Sequence, residues 1–376
     1  MIFVSPFLKR IVYPGASRLG LLHRSKGLAV VTYHGVEPEG YRSVDTVLDG
    51  GLITRTALGE QLHLLRRRYN LISPAQFREY CRGETNLPDR AVLVTCDDGL
   101  QATLTDMLPI LEEFGVECLF FVTGASVEAV PSMLWYEELY LMFLAGPPRF
   151  SCRMNEGAID VKVGSEEGKR GHWWNLARLL SRYDHVQRAE ILLEFRVQLK
   201  LERNWRSRFL GDDAAGRRFL LLTGDQLGEL ALKMSIGAHT LSHPVLSQSS
   251  AEQVWNEISG CRELLKGQLQ RDIWAFAYPF GDCGSVGERE KGFAKQAGFE
   301  CAFMNEGGGF GAAAPRFAIP RVHVTRDMSL HEFEAHVSGF YRGLRRTLGR
   351  ESSEVLPTEI GSANDLVWPR ERRRSA

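Results

Sequence analysis

Seven short runs rich in β-branched and aromatic residues recur along this chain, and they limit its fold more than any other feature. They span residues 28–33, 91–96, 117–122, 235–239, 273–277, 300–303 and 317–324. Runs that are apolar without alternation suit parallel strands covered on both faces. Between them lie stretches with helical spacing, clearest in the stripes Leu58-Leu62-Leu65, Leu104-Leu108-Leu111 and Val254-Ile258-Leu264-Leu265. Gly115 and Gly298 stand just before the next run, where a helix C-cap belongs. Strand and helix alternating about seven times predict a (β/α) barrel.

The rhythm breaks once. Residues 131–222 hold no run of the same quality, only helical patterns over 135–144 and 173–201 with Pro147-Pro148 ending the first. This predicts a helical insertion after the second or third strand. The expected units are a basic segment 1–27, barrel residues 28–131, an insertion 132–221, barrel residues 222–343 and a polar tail 344–376. The tail is expected to be disordered from about Gly349, and it ends in Arg370, Arg372, Arg373 and Arg374.

Composition narrows the class. Equal numbers of basic and acidic groups, 46 of each, argue against a nucleic-acid partner held by bulk charge. No apolar run reaches the length of a membrane-spanning helix. Seven scattered cysteines without a CxxC pair read as reduced thiols in a cytosolic chain. Residues 1–27 carry five basic groups and no acid, leaving 41 basic against 46 acidic groups in residues 28–376. Pro14-Gly15 interrupts their apolar residues, which argues against a cleavable export signal. The segment reads as a helix packed on the body or as a basic amphipathic stretch on an anionic membrane face.

The unusual polar residues gather at the ends of the predicted strands, where a barrel builds its active site. His34 ends the first run, Asp97-Asp98-Gly99 the second, His239 to His243-Pro244 the fourth and Tyr278-Pro279-Phe280-Gly281 the fifth; Arg321 and His323 lie on the last. His239 and His243, four residues apart, can face one ion together with a carboxylate and leave positions open. The adjacent aspartates must point different ways, so one can ligate while the other reaches a bound water. His34 is read as functional from its strand-end position. His323 shares a side of its strand with Arg321 and is either a supporting or a packing residue. Asp212-Asp213 reads as a surface turn. His23, His63, His172, His185, His331 and His336 are expected at the surface, and Trp135, Trp173 and Trp174 in a core more readily than against sugar rings.

Taken together, these residues resemble the polysaccharide deacetylases of the NodB-homology type, carbohydrate esterase family four. The three motifs read Thr95-Cys96-Asp97-Asp98-Gly99, His239-Thr240-Leu241-Ser242-His243-Pro244 and Phe276-Ala277-Tyr278-Pro279-Phe280-Gly281. The likeness covers residues 28–131 and 222–343. It implies that Asp98, His239 and His243 hold a metal ion and that Asp97 is the general base for the attacking water. It implies also that the Phe280 N–H completes an oxyanion site, with the ion acting as Lewis acid on the acetamide oxygen.

Two departures stand out. Ala277 replaces the arginine usual in the third motif, and Arg321 is the candidate to supply that charge. The usual C-terminal L-x-H motif is not evident after His323. In the subgroup resembling poly-N-acetylglucosamine deacetylases the general-acid histidine comes instead from an N-terminal strand, which Tyr33-His34 fits; His323 is the reserve.

The resemblance thus implies a distorted (β/α)7 barrel that removes acetyl groups from N-acetylated sugars in a glycan or a lipid-linked saccharide. Zinc is the expected ion, with cobalt, nickel or manganese as alternatives. Rival readings are an O-acetyl esterase using the same centre and a catalytically silent glycan-binding or assembly protein. The expected partner is the N-acetylated glycan, with a peripheral membrane contact through residues 1–27 and a cytoplasmic location at the inner membrane face.

Overall fold

Seven parallel strands close on themselves in a computed structural model that describes residues 7–23, 27–154, 157, 159–165, 168–308 and 315–347. They are β1 (Leu28–Tyr33), β3 (Ala91–Cys96), β4 (Cys118–Val122), β7 (Ser235–Ala238), β8 (Ala275–Ala277), β9 (Cys301–Gly307) and β10 (Ile319–His323). The ring runs β1-β10-β9-β8-β7-β4-β3 and returns to β1, whose residues pair with β3 from Leu28↔Ala91 to Tyr33↔Cys96. A two-residue strand, β2 (Asn70–Leu71), pairs with the start of β3. The predicted seven-stranded barrel is present.

Strand alternation sorts the side chains into two cores. Val30, Leu93, Leu119, Phe121, Ala275, Ala277 and Phe303 fill the barrel, with Phe77 and Trp274 packed among them. Val31, Val92, Val94, Phe120, Val122 and Phe276 face the surrounding helices. The helix Ala251–Leu269 shows how that outer layer is specified. Ser250 and Gln253 form a capping box at its start, and Val254, Ile258, Cys261 and Leu265 form the buried stripe. The same alternation carries inward-facing positions past the strand ends, from Leu93 through Thr95 to Asp97 and from Ile319 through Arg321 to His323.

The insertion lies between β4 and β7, after the third barrel strand, and it is not wholly helical. Alongside the helices Trp135–Ala145, Lys169–Leu180, His185–Gln198 and Asp213–Phe219 it holds an antiparallel pair, β5 (Phe150–Met154) and β6 (Ile159–Val163). The cause is a period of two: Ile159, Val161 and Val163 are buried while Asp160 and Lys162 are exposed. Leu139, Phe143, Cys152, Val161, Trp173 and Phe195 share a core separate from the barrel's. Arg218, buried, ties this unit to the loop after β1 by donating to Asp49 at 2.7 Å and to Glu137 at 2.9 Å.

Several surface expectations need correction. His336 is half-buried and stacks on Tyr341 with ring centroids 4.2 Å apart, because the helix Phe340–Thr347 folds back over it. That helix also crosses the expected start of the tail at residue 344; residues 348–376, where disorder is expected, lie outside the described residues. Asp212 and Asp213 are both exposed, as expected, but Asp212 caps a helix, accepting from the Ala215 N–H at 2.8 Å. His172 is half-buried, while His63, His185 and His331 are exposed. In the N-terminal segment Tyr13, Ala16 and Leu22 pack against Ala335, leaving Phe7, Ile11, Leu19 and Leu21 exposed. All seven cysteines are free.

Candidate active site

The ends of β3 and β7 turn sharply, and the turns decide where each side chain goes. The Asp97 N–H donates to Tyr33 O at 2.9 Å, extending the ladder one residue, so the Asp97 carboxylate points into the barrel. Asp98 then enters the left-handed region at φ +78°, which throws its carboxylate toward the next strand ends. Thr240, His243 and Phe280 are left-handed too, at φ +65°, +56° and +60°. Such conformations cost non-glycine residues roughly 1–3 kcal/mol each and persist only where the surroundings over-determine them. Here Thr240 Oγ1 donates to His239 O at 2.5 Å and accepts from the His243 N–H at 3.0 Å. Leu241 presses on Gly124, where an added Cβ would lie 3.0 Å from the Leu241 Cα. Gly281 is needed for a similar reason: a Cβ there would meet Asn305 N at 2.6 Å.

These turns bring Asp98, His239 and His243 together, all buried, with one ligand atom from each lying within 4.8 Å of the others. Asp98 Oδ1 is 3.4 Å from His239 Nε2 and 3.3 Å from His243 Nε2. That oxygen has no hydrogen-bond donor among the described residues, so the contacts are not hydrogen bonds. Ligand atoms about 3.4 Å apart are what a tetrahedral ion with ligand distances of about 2.0–2.1 Å requires. His239 Nδ1–H donates to Ala277 O at 2.8 Å, which leaves the Nε2 lone pair facing the centre. Burial opposes ionisation of Asp98, but the two facing imidazoles hold its carboxyl well below the usual carboxylate range. The residues fit a divalent cation.

Asp97 faces Arg321 instead. The guanidinium, fully buried, donates to Asp97 Oδ1 at 2.7 Å and Oδ2 at 2.5 Å; its Nε donates to Met304 O at 2.7 Å and Nη1 also to Thr95 Oγ1 at 3.2 Å. Burial alone would raise the Asp97 carboxyl, yet the arginine, with help from His239, lowers it below the ordinary value. Position 277 carries no arginine, and the charge beside Asp97 comes from β10.

His34 and His323 meet across the same space with ring centroids 4.7 Å apart. His34 Nδ1 and His323 Nε2 are buried without partners among the described residues. Burial, reinforced by His34, pushes His323 down to about 3, so it stays neutral near pH 7. Phe280 packs its ring on His243 at 4.9 Å, and its N–H donates to no backbone acceptor among the described residues. Trp174 and Tyr136 from the insertion touch Phe280 at 5.4 and 5.5 Å. Trp173 is core, whereas Trp135 Nε1 donates to His243 O at 3.1 Å.

Sequence reasoning missed Tyr136, Ser242 and Glu257. Tyr136 lies 5.1 Å from the His243 ring, and Glu257 accepts from the Ser242 N–H at 2.9 Å. Ser242, as the middle of the His239–His243 turn, offered a signal; a glutamate on an amphipathic helix offered none.

Comparison with known proteins agrees with this geometry. The signature of the family described as polysaccharide deacetylase matches residues 84–146 and 223–302. The poly-β-1,6-N-acetyl-D-glucosamine N-deacetylase of Escherichia coli strain K12 is 24% identical over 318 residues, 83% of this chain. The chain spans only 38% of the length of that relative. Among solved structures, the deacetylase PplD of Streptococcus pyogenes, in complex with acetate, superposes with a TM-score of 0.51 at 16% identity over 83% of this chain and 98% of that one. IcaB from Ammonifex degensii gives 0.51 at 18% identity, covering 83% and 97%; both likenesses concern the fold. Residues 84–146 and 223–302 thus carry the polysaccharide deacetylase signature, and the chain is similar to the deacetylases of the NodB-homology type. Among such proteins it resembles the poly-N-acetylglucosamine deacetylases.

Proposed function

We propose that this protein is a divalent-metal-dependent N-deacetylase acting on N-acetylglucosamine units of a glycan. The observation that carries the reading is the Asp98–His239–His243 cluster beside a second aspartate held by Arg321. The E. coli relative supports amide over ester as the bond cleaved. Zinc suits one carboxylate and two imidazoles; cobalt, nickel or manganese would also accept them.

When bound, the ion supplies Lewis acidity at the acetyl carbonyl and makes water more acidic. Asp97, kept ionised and fixed by Arg321, accepts the proton of the attacking water. The Phe280 N–H, turned by its left-handed backbone, donates to the oxygen that gains negative charge. His34 donates a proton to the departing sugar nitrogen, since an amine leaves poorly as an anion. His323, held neutral beside it, positions that ring. Tyr136, Trp174 and Phe280 supply an aromatic wall for the sugar.

The deciding experiment follows free amine and ester-derived acetate on β-1,6-linked N-acetylglucosamine oligomers and on O-acetylated glycans, with and without a chelator. Amine release that needs the metal is expected. Acetate loss from esters alone would replace this reading with an O-acetyl esterase. Glycan binding without metal or turnover would replace it with an assembly protein.

Residues 1–27 are proposed to touch an anionic membrane surface, at the inner face of the membrane. Exposed Phe7, Ile11, Leu19 and Leu21 lie beside Arg10 and Arg18 on a segment whose other face is packed.

A further inference from the structure

The turn that carries His239 and His243 is attached to the insertion at three points. Trp135 Nε1 donates to His243 O at 3.1 Å, the Val245 N–H donates to Ser181 Oγ at 3.0 Å, and Arg188 Nη2 donates to Ser242 Oγ. On the barrel side Glu257 accepts both the N–H and the hydroxyl of Ser242. Ser242 is thus gripped from two units, between the left-handed Thr240 and His243.

Arg188 is the unusual member of this set. It sits in the first turn of the helix His185–Gln198 and is 2% exposed. Nη1 donates to Tyr183 O at 2.6 Å, the guanidinium lies 5.1 Å over the Trp135 ring, and Glu257 is 3.8 Å away. Taking a guanidinium out of water is unfavourable, and an apolar side chain of similar size would pack here at lower cost. What only arginine adds is a planar fork that directs two N–H bonds while stacking on a ring. One arm holds its own helix, the other holds Ser242, and the ring it stacks on holds His243.

We infer that Arg188 is a positioning residue for the metal centre, fixing the His239–His243 turn through Ser242, so that the insertion is a working part of that centre. The inference rests on reading Asp98, His239 and His243 as metal ligands. It assigns the insertion a role distinct from lining the sugar site.

The test measures zinc affinity of metal-free protein by competition with a chromogenic chelator, alongside kcat, KM and the folded state by circular dichroism. Arg188→Met and Ser242→Ala should each weaken zinc binding by about 10–100-fold, the range for residues behind a metal ligand. Both should lower kcat while leaving KM nearly unchanged. Arg188→Lys, which keeps the charge but not the fork, should recover part of the affinity. The double variant should bind zinc no worse than the weaker single one, because both act through one contact. Ser242→Ala decides the matter should Arg188→Met fail to fold. Zinc affinity of the folded variants equal to wild type, or effects that add fully, would overturn the inference alone. A wild-type protein that takes up no zinc would overturn the metal reading itself.

Discussion

Arg321 and Asp97 meet in a two-pronged ion pair, at 2.7 and 2.5 Å, although 224 positions separate them in the chain. Neither is exposed. The pair supplies Asp97 with the orienting charge that the third motif lacks.

Arg321→Met should therefore do two kinds of damage. It leaves a buried carboxylate unpaired, which typically costs about 3–5 kcal/mol of stability, readable from urea unfolding. It also frees Asp97 to take up a proton, so turnover of the folded fraction should fall steeply. Asp97→Asn should abolish turnover with metal content unchanged by elemental analysis. Residual activity equal to wild type in either variant would remove Asp97 from the role of base.

His243→Ala removes one of the three proposed ligands and opens the cluster. Bound metal per chain should drop well below that of wild type after dialysis, and turnover with it. Unchanged metal content would exclude His243 from the ligand set.

His34→Ala separates bond types. Cleaving an amide needs a proton on the leaving nitrogen, whereas an activated aryl acetate leaves without one. The variant should lose most amide turnover, about 10²–10⁴-fold, and keep much of its aryl acetate hydrolysis. His323→Ala, which removes the ring beside His34, should show the same selectivity with a smaller loss of amide turnover. Reversed behaviour of the two variants would make His323 the acid.

Glu300 tests the far end of the barrel by pH. Hydrogen bonds from Arg82, then Arg78, hold its carboxyl down to about 2 against a modest opposing effect of burial. A depressed carboxyl stabilises fully above its unfolded value of about 4.3 and loses that contribution as pH falls toward its folded value. Glu300→Gln should lower the urea midpoint at pH 7, and the gap from wild type should narrow between about pH 4.3 and pH 2. A gap that stays constant across that range would show that the ion pairs contribute nothing. Activity at pH 7 should not change.

The membrane proposal predicts co-sedimentation with vesicles containing anionic lipid and little with neutral ones, weakening as salt rises. Replacing Phe7 and Ile11 by Ser should abolish it with turnover on soluble oligomers intact. Equal binding to neutral vesicles would remove Arg10 and Arg18 from the account.

The barrel was readable because its strands are covered on both faces, which leaves uninterrupted runs such as Ala91–Cys96. The site was readable because Asp97, Asp98, His239 and His243 end such runs. The β5–β6 pair was passed over although Ile159, Val161 and Val163 alternate with charges, since two short strands among polar residues rank below the helices around them. His336 was misplaced because its burial depends on Tyr341, a contact that helical spacing does not predict. Arg188 and Glu257 left no trace for a related reason: their partner Ser242 belongs to another element, 54 and 15 positions away.

β1 sits between β3 and β10, so the ring closes only when the last strand docks. A ribosome delivers that strand about eighty residues after His243. At about 5–20 residues per second, the unfinished chain spends seconds with Asp98, His239 and His243 all made but the Asp97 counter-charge still unmade. During that interval β1 and the last strand made, first β7, then β8 and finally β9, offer open edges, the templates on which chains aggregate. Truncation just before residue 319 would thus yield an insoluble product rather than a slow enzyme, and the C-terminal strand is a quality check that the chain applies to itself.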